Sequence, residues 1–184
     1  NPTNNRDFNK EFHIGGRNIS GYNDINEFDG YISNVRVVKG RALYTSDSFV
    51  VPTKPLTAVS GTSLLTCQDN RLIDNSSYSH PYHINGLASF KPTSPFRPLD
   101  TGNDNTFLRR DGSAYFNGTT DYLRTSTSSD FDNSSGAWTA EVWVYRNSNT
   151  NTDPHIIRFG SGTTNRSGIF RRGTSNQIEF FQIN

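Results

Sequence analysis

The chain has four histidines, at positions 13, 80, 83 and 155, and two of them lie close together in the segment His80-Pro81-Tyr82-His83. A zinc site needs three or four converging ligands. Neither a cysteine nor a third histidine lies near this pair in the sequence. The segment is therefore interpreted as a polar surface loop rather than a metal site.

Glu141 is the carboxylate best placed for hydrolytic chemistry, because it lies within the longest predicted strand. A retaining glycoside hydrolase needs a second carboxylate on the same face, roughly 5–5.5 Å away. Trp143 and Tyr145 occupy the following positions on that face instead. No serine lies in a Gly-x-Ser-x-Gly turn, since 160–162 is too short a match. The sequence predicts that the chain is not an enzyme.

The composition limits the classes of partner. With 184 residues, the chain has the size of one domain or slightly more. A net charge of +1 provides no strong field that would attract nucleic acid or an anionic membrane. No segment is long and apolar enough to span a bilayer. We therefore expect neither nucleic-acid binding nor membrane insertion.

The single cysteine, Cys67, ends the apolar run that begins at Leu64. One cysteine forms no internal disulfide, and this one is interpreted as a small buried hydrophobic residue. The chain begins with Asn1 and contains no methionine. We expect it to be a processed or partial piece of a longer protein.

The stretch 28–56 is expected to organise the fold. It contains a predicted buried strand at 31–38, which Lys39-Gly40 ends, and a compact corner at 41–50. A second long strand is predicted at 138–146, where Ala140, Val142 and Val144 alternate with larger or polar residues. No stretch of ten or more residues has helical apolar periodicity. The pattern predicts an all-β antiparallel sandwich or jelly roll.

Shorter elements fill the remainder. Asn85-Gly86 predicts a hairpin between strands at 81–84 and 87–91, and a turn at Gly118 joins strands at 113–117 and 121–126. The prolines in 92–98 indicate a linker. Further strands are predicted at 11–14, 63–68, 71–73, 156–159, 168–171 and 177–183, with one helical turn near 130–131.

Two stretches resemble one known family. Residues 28–45 (FDGYISNVRVVKGRALYT) and 62–68 (TSLLTCQ) resemble the closing part of laminin-G-like, concanavalin A-like domains. Residues 112–147 (GSAYFNGTTDYLRTSTSSDFDNSSGAWTAEVWVYRN) resemble the opening part of such a domain. The amino-acid sequence of these stretches is most similar to versions of the domain found in phage and marine bacterial surface proteins.

The order of the two parts is reversed relative to that family. The resemblance implies a closing part at 1–98, a linker at 99–111, and an opening part at 112–184. The opening part belongs to a second tandem domain or to the same domain in permuted order, or strands are exchanged between subunits. Our working hypothesis is that the strands at 31–38 and 138–146 belong to different sandwiches.

The resemblance implies calcium as the one cofactor to consider, because laminin-G-like domains often hold it at the sandwich rim. Many bacterial versions carry an Asp-Glu pair where this chain has Ser33-Asn34. Loop acids remain as candidate ligands: Asp69 with Asp74, and Asp130 with Asp132. Calcium prefers six to eight oxygens with several carboxylates, so turn formation is the alternative role of these acids.

Glycan binding is the task that the resemblance implies most directly. It needs exposed aromatic rings for the apolar face of a sugar, with planar polar side chains around them. The candidate residues are Tyr78, His80, Tyr82 and His83 in one loop, and Trp143 with Tyr145 on the long strand. The alternatives are that the loop is ordinary surface or a subunit contact, and that Trp143 lies in the core.

These expectations combine into one predicted function. The chain is a non-enzymatic structural or adhesion module of a larger, repetitive virion or cell-surface protein. Examples of such a protein are a phage tail fibre, a capsid decoration protein and an adhesin. Its partners would be other subunits of that protein, in an oligomer, and glycans, at an extracellular or virion surface. The alternatives are a carbohydrate-binding appendage of a secreted polysaccharide-degrading enzyme and a purely architectural subunit.

Overall fold

The computed structural model describes residues 10–17, 26–96, 111–133, 135–147, 153–160, 166–172 and 177–183. These residues contain eleven strands and one short 3-10 helix, Ser129–Phe131. The strands are β1 (Phe12–Ile14), β2 (Asp29–Lys39), β3 (Thr62–Thr66), β4 (Tyr82–Asn85), β5 (Ser89–Lys91), β6 (Ser113–Asn117), β7 (Tyr122–Thr125), β8 (Trp138–Arg146), β9 (His155–Phe159), β10 (Arg166–Arg171) and β11 (Ile178–Ile183). No helix among the described residues is long and apolar enough to cross a membrane.

The strands form two antiparallel sheets. The first sheet has the order β11-β10-β9-β1-β7-β4. In the second sheet, β8 lies along one edge of β2, while β6 and β3 share the other edge and β5 pairs with β6. The fold is an all-β sandwich, as the strand pattern predicts.

Strand β2 is the centre of the second sheet, and it corresponds to the predicted organising strand. Its first half pairs with β6, its second half pairs with β3, and β8 follows it from Gly30 to Lys39. Ile32, Val35 and Val37 are buried in the core. Gly40 has a φ of 78°, a conformation that glycine adopts without strain, and the strand ends there.

Large aromatic rings fill much of the core between the sheets. The ring of Phe12 packs on Phe131 at 5.5 Å and edge-on to Phe159 at 4.9 Å. Trp138 lies against Phe159 from the second sheet, with 5.7 Å between ring centroids. A chain with few apolar residues thus builds its core from rings that each bury a large area.

The hypothesis of two separate sandwiches is wrong. Strands at 31–38 and 138–146 are direct neighbours: Tyr31 pairs with Tyr145 and Val37 with Ala140 in one ladder. The first sheet also contains strands from both halves of the chain, with β1 of the first half between β9 and β7 of the second. Of the predicted linker at 99–111, all but Asp111 lies outside the described residues, and Asp111 forms a bridge with Asp69. The assignment of the halves as laminin-G-like parts remains a prediction.

The predicted hairpin at Asn85-Gly86 is also wrong, and the strands joined by the turn at Gly118 do not pair with each other either. Strand β4 pairs with β7 in the first sheet, whereas β5 pairs with β6 in the second. The turns at Asn85-Gly86 and Gly118 therefore carry the chain from one sheet to the other. Local turn chemistry suits a hairpin, but each of the four strands pairs with a strand from the other side of the two turns instead.

The two corners pack against each other through Asp121, which is buried. One of its carboxylate oxygens accepts a hydrogen bond from the backbone N–H of Leu87 at 2.7 Å, and the other from that of Asn117 at 3.2 Å. A β-carbon added to Gly86 would lie 2.1 Å from the Asp121 side chain. The close approach explains why glycine stands at this corner.

A smaller difference concerns residues 71–73, which were predicted to continue a strand. They form bends, because the carboxylate of Asp69 accepts the backbone N–H of Arg71 at 2.9 Å and turns the chain. The predicted helical turn is present as the 3-10 helix Ser129–Phe131, where the hydroxyl of Ser128 accepts the N–H of Asp130.

Candidate functional site

An aromatic row crosses the outer face of the second sheet. Side chains alternate between the faces of a strand, and Ile32, Ala114 and Phe116 are buried on the core side. The residues between them point outward, so Tyr31 of β2 lies between Tyr115 of β6 and Tyr145 of β8. The ring centroids are 5.3 Å and 6.0 Å apart.

A second row lies beside the tyrosines. Ser33 of β2 pairs with Trp143 of β8. The ring of Phe96 packs edge-on against Trp143 at 5.4 Å, so that the segment 93–96 forms a wall beside the sheet. Trp143 is therefore an outer-face residue, and the core position belongs to Trp138.

Between these rows and the wall lies an open groove of about 530 Å³. Its lining combines aromatic rings with hydroxyl and amide groups and contains no charged side chain among the described residues. The lining residues are Tyr31, Ser33, Thr93, Ser94, Pro95, Ser113, Trp143, Val144, Tyr145 and Asn147. Rings beside neutral hydrogen-bonding groups are suited to a ligand that has both an apolar face and hydroxyl groups.

A bulge in β2 holds the floor of this groove. Asn34 has a φ of 53°, and the register with β8 shifts between Ser33 and Arg36. The hydroxyl of Ser33 lies 2.7 Å from the carbonyl of Gly112 and 3.2 Å from that of Cys67. The side-chain oxygen of Asn34 accepts the N–H of Leu56 at 2.8 Å. The Ser33-Asn34 pair thus ties β2 to its neighbours.

Glu141 has a structural partner rather than a catalytic one. Its carboxylate is buried and lies 2.6 Å from the guanidinium of Arg36, which also donates to the carbonyl of Thr57 at 2.8 Å. The hydroxyl of Tyr44 donates to the other oxygen of Glu141. Burial and this hydrogen bond raise the pKa of Tyr44. The network fastens the segment 41–57, which contains the corner, onto β2 and β8.

The predicted sugar-binding residues are separated in the structure. Only Trp143 and Tyr145 line the groove. Tyr78 is exposed and stacks on His80, whose ring packs on Phe131 and approaches the carboxylate of Asp130 at 3.3 Å. Burial raises the pKa of Tyr82 well above its ordinary value, and its hydroxyl is buried. His83 is exposed on the edge strand β4.

The four predicted calcium ligands serve mainly in turns. Both oxygens of Asp74 are saturated by the N–H groups of Leu65, Ser76 and His80 and by the hydroxyl of Ser76, at 2.8–3.0 Å.

Asp69 accepts from Arg71 and Asn75, and Asp130 is bonded to Ser128. Asp132 lies at the end of the 3-10 helix, where its N–H donates to the carbonyl of Ser129. The described part of the chain has no group of three or more His, Cys, Asp or Glu side chains that could hold a metal ion. The calcium role remains a prediction.

Three other residues whose side chains could titrate or react are buried. Cys67 is fully buried, and burial raises the pKa of its thiol to about 12. Burial also lowers the pKa of His155 to about 3 and lowers that of His13. These residues are held in their neutral forms at neutral pH, and they serve the packing of the sandwich.

Sequence reasoning missed Tyr31, Tyr115 and Ser113 as site residues. The sequence signal for these residues is the alternation in β2 and β6. Tyrosine and serine occupy the outward-facing positions, whereas Ile32, Ala114 and Phe116 occupy the inward-facing ones. That alternation becomes informative only when β2, β6 and β8 are known to be neighbours.

No protein-family model, curated protein or solved structure matches this chain. The resemblance to laminin-G-like domains therefore rests on the residues quoted from 28–45, 62–68 and 112–147, and it remains a prediction. The all-β sandwich is the class of protein that the fold defines, and the uncharged aromatic groove is its candidate site.

Proposed function

We propose that this chain is a non-enzymatic structural and adhesion module that binds glycans in the groove between Tyr31, Trp143 and Tyr145. The proposal depends mainly on one observation, which is that aromatic rings and neutral hydroxyl and amide groups line the same open groove. A pyranose ring presents an apolar face that stacks on aromatic side chains, and its hydroxyl groups bond to neutral polar groups.

The resemblance to phage and marine bacterial surface domains supports placing the module in a larger virion or cell-surface protein. In that setting the outer face of the second sheet would meet glycans at an extracellular or virion surface. The buried pairing of Glu141 with Arg36 supports a non-enzymatic role, because that carboxylate is already bound at 2.6 Å. A carbohydrate-binding appendage of a secreted polysaccharide-degrading enzyme would use the same groove.

The test is glycan-array screening of the protein followed by calorimetric titration of the glycans that bind. Trp143→Ala and Tyr145→Ala are each expected to weaken binding by about tenfold or more, since each removes an aromatic surface worth about 1.5–3 kcal/mol when buried. Tyr145 is 66% exposed, so its removal leaves the folded protein intact.

Tyr78→Ala is the matched control. Tyr78 is 54% exposed, and it lies outside the groove. Its replacement is expected to leave binding unchanged. Equal loss of binding in Tyr78→Ala and Tyr145→Ala, or full binding in both groove variants, would count against the proposal.

A purely architectural subunit is the second candidate, and one observation favours it. Phe49, Val50 and Val51 form an exposed apolar run on the corner after β2. Clustered exposed apolar residues often mark contacts between proteins. If no glycan binds in the array, assembly through this run becomes the better explanation of the module.

A further inference from the structure

Among the described residues that line the groove, Ser113 has a buried hydroxyl without a hydrogen-bond partner. Ser113 is 2% exposed and lines the groove, and no group in the described part of the chain forms a hydrogen bond with its Oγ. Ser33 lines the same floor but is already bonded, with its hydroxyl 2.7 Å from the carbonyl of Gly112. Buried polar groups in folded proteins nearly always have partners, and an exception calls for an explanation.

From this we infer that the groove takes an uncharged hexose unit of a glycan, and that Ser113 is the residue that anchors one of its hydroxyl groups. The inference rests on the proposed function and specifies its ligand class. A sugar hydroxyl that reached the floor would give the Ser113 hydroxyl the partner that it lacks. The serine hydroxyl is able to donate or accept, which suits another hydroxyl.

The rings above the floor define where the sugar lies. Phe96 holds Trp143 edge-on at 5.4 Å, and Tyr31 supports Tyr145 at 6.0 Å. These contacts fix the walls before a ligand arrives, which lowers the entropy cost of binding. Ser113 lies on β6, which flanks β2 on the edge opposite β8, so a stacked ring would lie over β2 within reach of both sides.

The charges around the groove argue against an acidic sugar. Arg36 lies on the same face but is buried and bound to Glu141 at 2.6 Å. The amine of Lys91 lies 5.8 Å from the centroid of the Tyr115 ring, beyond the lining. A uronate or sialate entering the groove would lose hydration without gaining a cation among the described lining residues.

The experiment compares matched glycans on the full chain. The probes are neutral hexamers of glucose, of mannose and of galactose, each tested beside its counterpart oxidised at C6 to the uronate. We expect at least one neutral hexamer to bind, and its oxidised counterpart to bind on the order of tenfold more weakly. Ser113→Ala should weaken binding of the neutral hexamer by about threefold to tenfold, the range for one hydrogen bond.

Ser89→Ala is the matched control for Ser113→Ala. Ser89 lies on the same outer face, opposite Tyr115, and it does not line the groove. It should bind the neutral hexamer as the unchanged protein does. The melting temperature of Ser113→Ala should not fall, because the lost hydroxyl has no partner to lose.

The outcomes separate this inference from the proposed function. If an oxidised hexamer binds more tightly than its neutral form and Tyr145→Ala abolishes that binding, the neutral-sugar inference is overturned while glycan binding in the groove stands. If Ser113→Ala binds the neutral hexamer unchanged, the anchoring role of Ser113 is overturned. If no probe binds at millimolar concentration while other glycans bind on the array, this inference is overturned and the proposed function stands.

Discussion

The two ends of the outer face of the second sheet are built by the same two strands and differ sharply in chemistry. At one end, Arg36 of β2 and Glu141 of β8 form a buried ion pair beneath the segment 41–57. At the other end, Tyr31 and Tyr145 flank an open groove that has no charged lining residue among those described. The bulge at Asn34 separates the two ends.

The difference shows that the buried charged pair of this face lies where another segment of the chain covers it and bonds to it. A buried ion pair requires that every charged group be bonded, and the corner supplies the carbonyl of Thr57 and the hydroxyl of Tyr44 for this purpose. At the open end, the hydroxyl of Ser113 has no hydrogen-bond partner among the residues that the structure describes. We therefore expect the covered end to contribute stability, and we propose ligand binding for the open end.

The largest expected effect comes from breaking the covered end. Glu141→Ala leaves the Arg36 guanidinium buried without its carboxylate, and it should lower the free energy of unfolding by about 3–5 kcal/mol. The measurement is urea denaturation followed by circular dichroism. Glu179→Ala is the control, because its pair with Arg172 is exposed to solvent and should contribute little measurable stability. Equal losses in the two variants would refute the assignment of stability to the covered end.

An intermediate effect is expected at the boundary between the two ends. Asn34→Ala loses the hydrogen bond to the N–H of Leu56 and places alanine at a φ of 53°, so we expect a loss of about 2–3 kcal/mol. Asn34→Gly loses the same hydrogen bond but accepts that φ. It should therefore be the more stable of the two variants by about 1 kcal/mol in the same denaturation experiment. If the Asn34→Ala variant is as stable as the Asn34→Gly variant, the bulge conformation carries no strain.

The smallest effect is expected for Tyr44→Phe, which removes one hydrogen bond from the covered end and should cost about 1 kcal/mol at neutral pH. Burial and the bond to Glu141 raise the pKa of Tyr44 above its ordinary value of 10.0. The folded protein therefore keeps this proton to higher pH than the unfolded chain does, and stability falls as the pH rises past 10.

Melting temperatures measured between pH 8 and pH 11 test this alkaline effect. The fall should be shallower in Tyr44→Phe than in the unchanged protein, because phenylalanine has no proton to lose. Parallel curves for the two proteins would exclude Tyr44 as a contributor to the alkaline loss.

Much of the fold followed from local patterns. The positions of β2, β6 and β8 agree with the predicted strands at 31–38, 113–117 and 138–146, because alternation and turn residues are visible in any short window. Strand partners were harder to predict. Asn85-Gly86 has the chemistry of a hairpin turn, yet β4 and β5 belong to different sheets, because pairing depends on distant strands that compete for the same edges.

The site was predicted in part for the same reason. Of the predicted sugar-binding residues, Trp143 and Tyr145 line the groove, and the alternation in β8 alone shows that they share a face. Tyr31 and Ser113 lie on other strands, far from Trp143 in the sequence. No local pattern relates them to Trp143. Tyr78 and His83 have suitable side chains, but the structure places them outside the groove.

The amino-acid sequence by itself determined that the chain is all-β, where its long strands run, and that β2 is its central element. The alternation of side chains along a strand is a local property, and it does not depend on which strand is the partner. Only the tertiary structure decided that the two halves share one sandwich and that Tyr31, Ser113 and Trp143 meet in one groove. Those meetings depend on closing long loops and on burying complementary surfaces, which no short window of sequence contains.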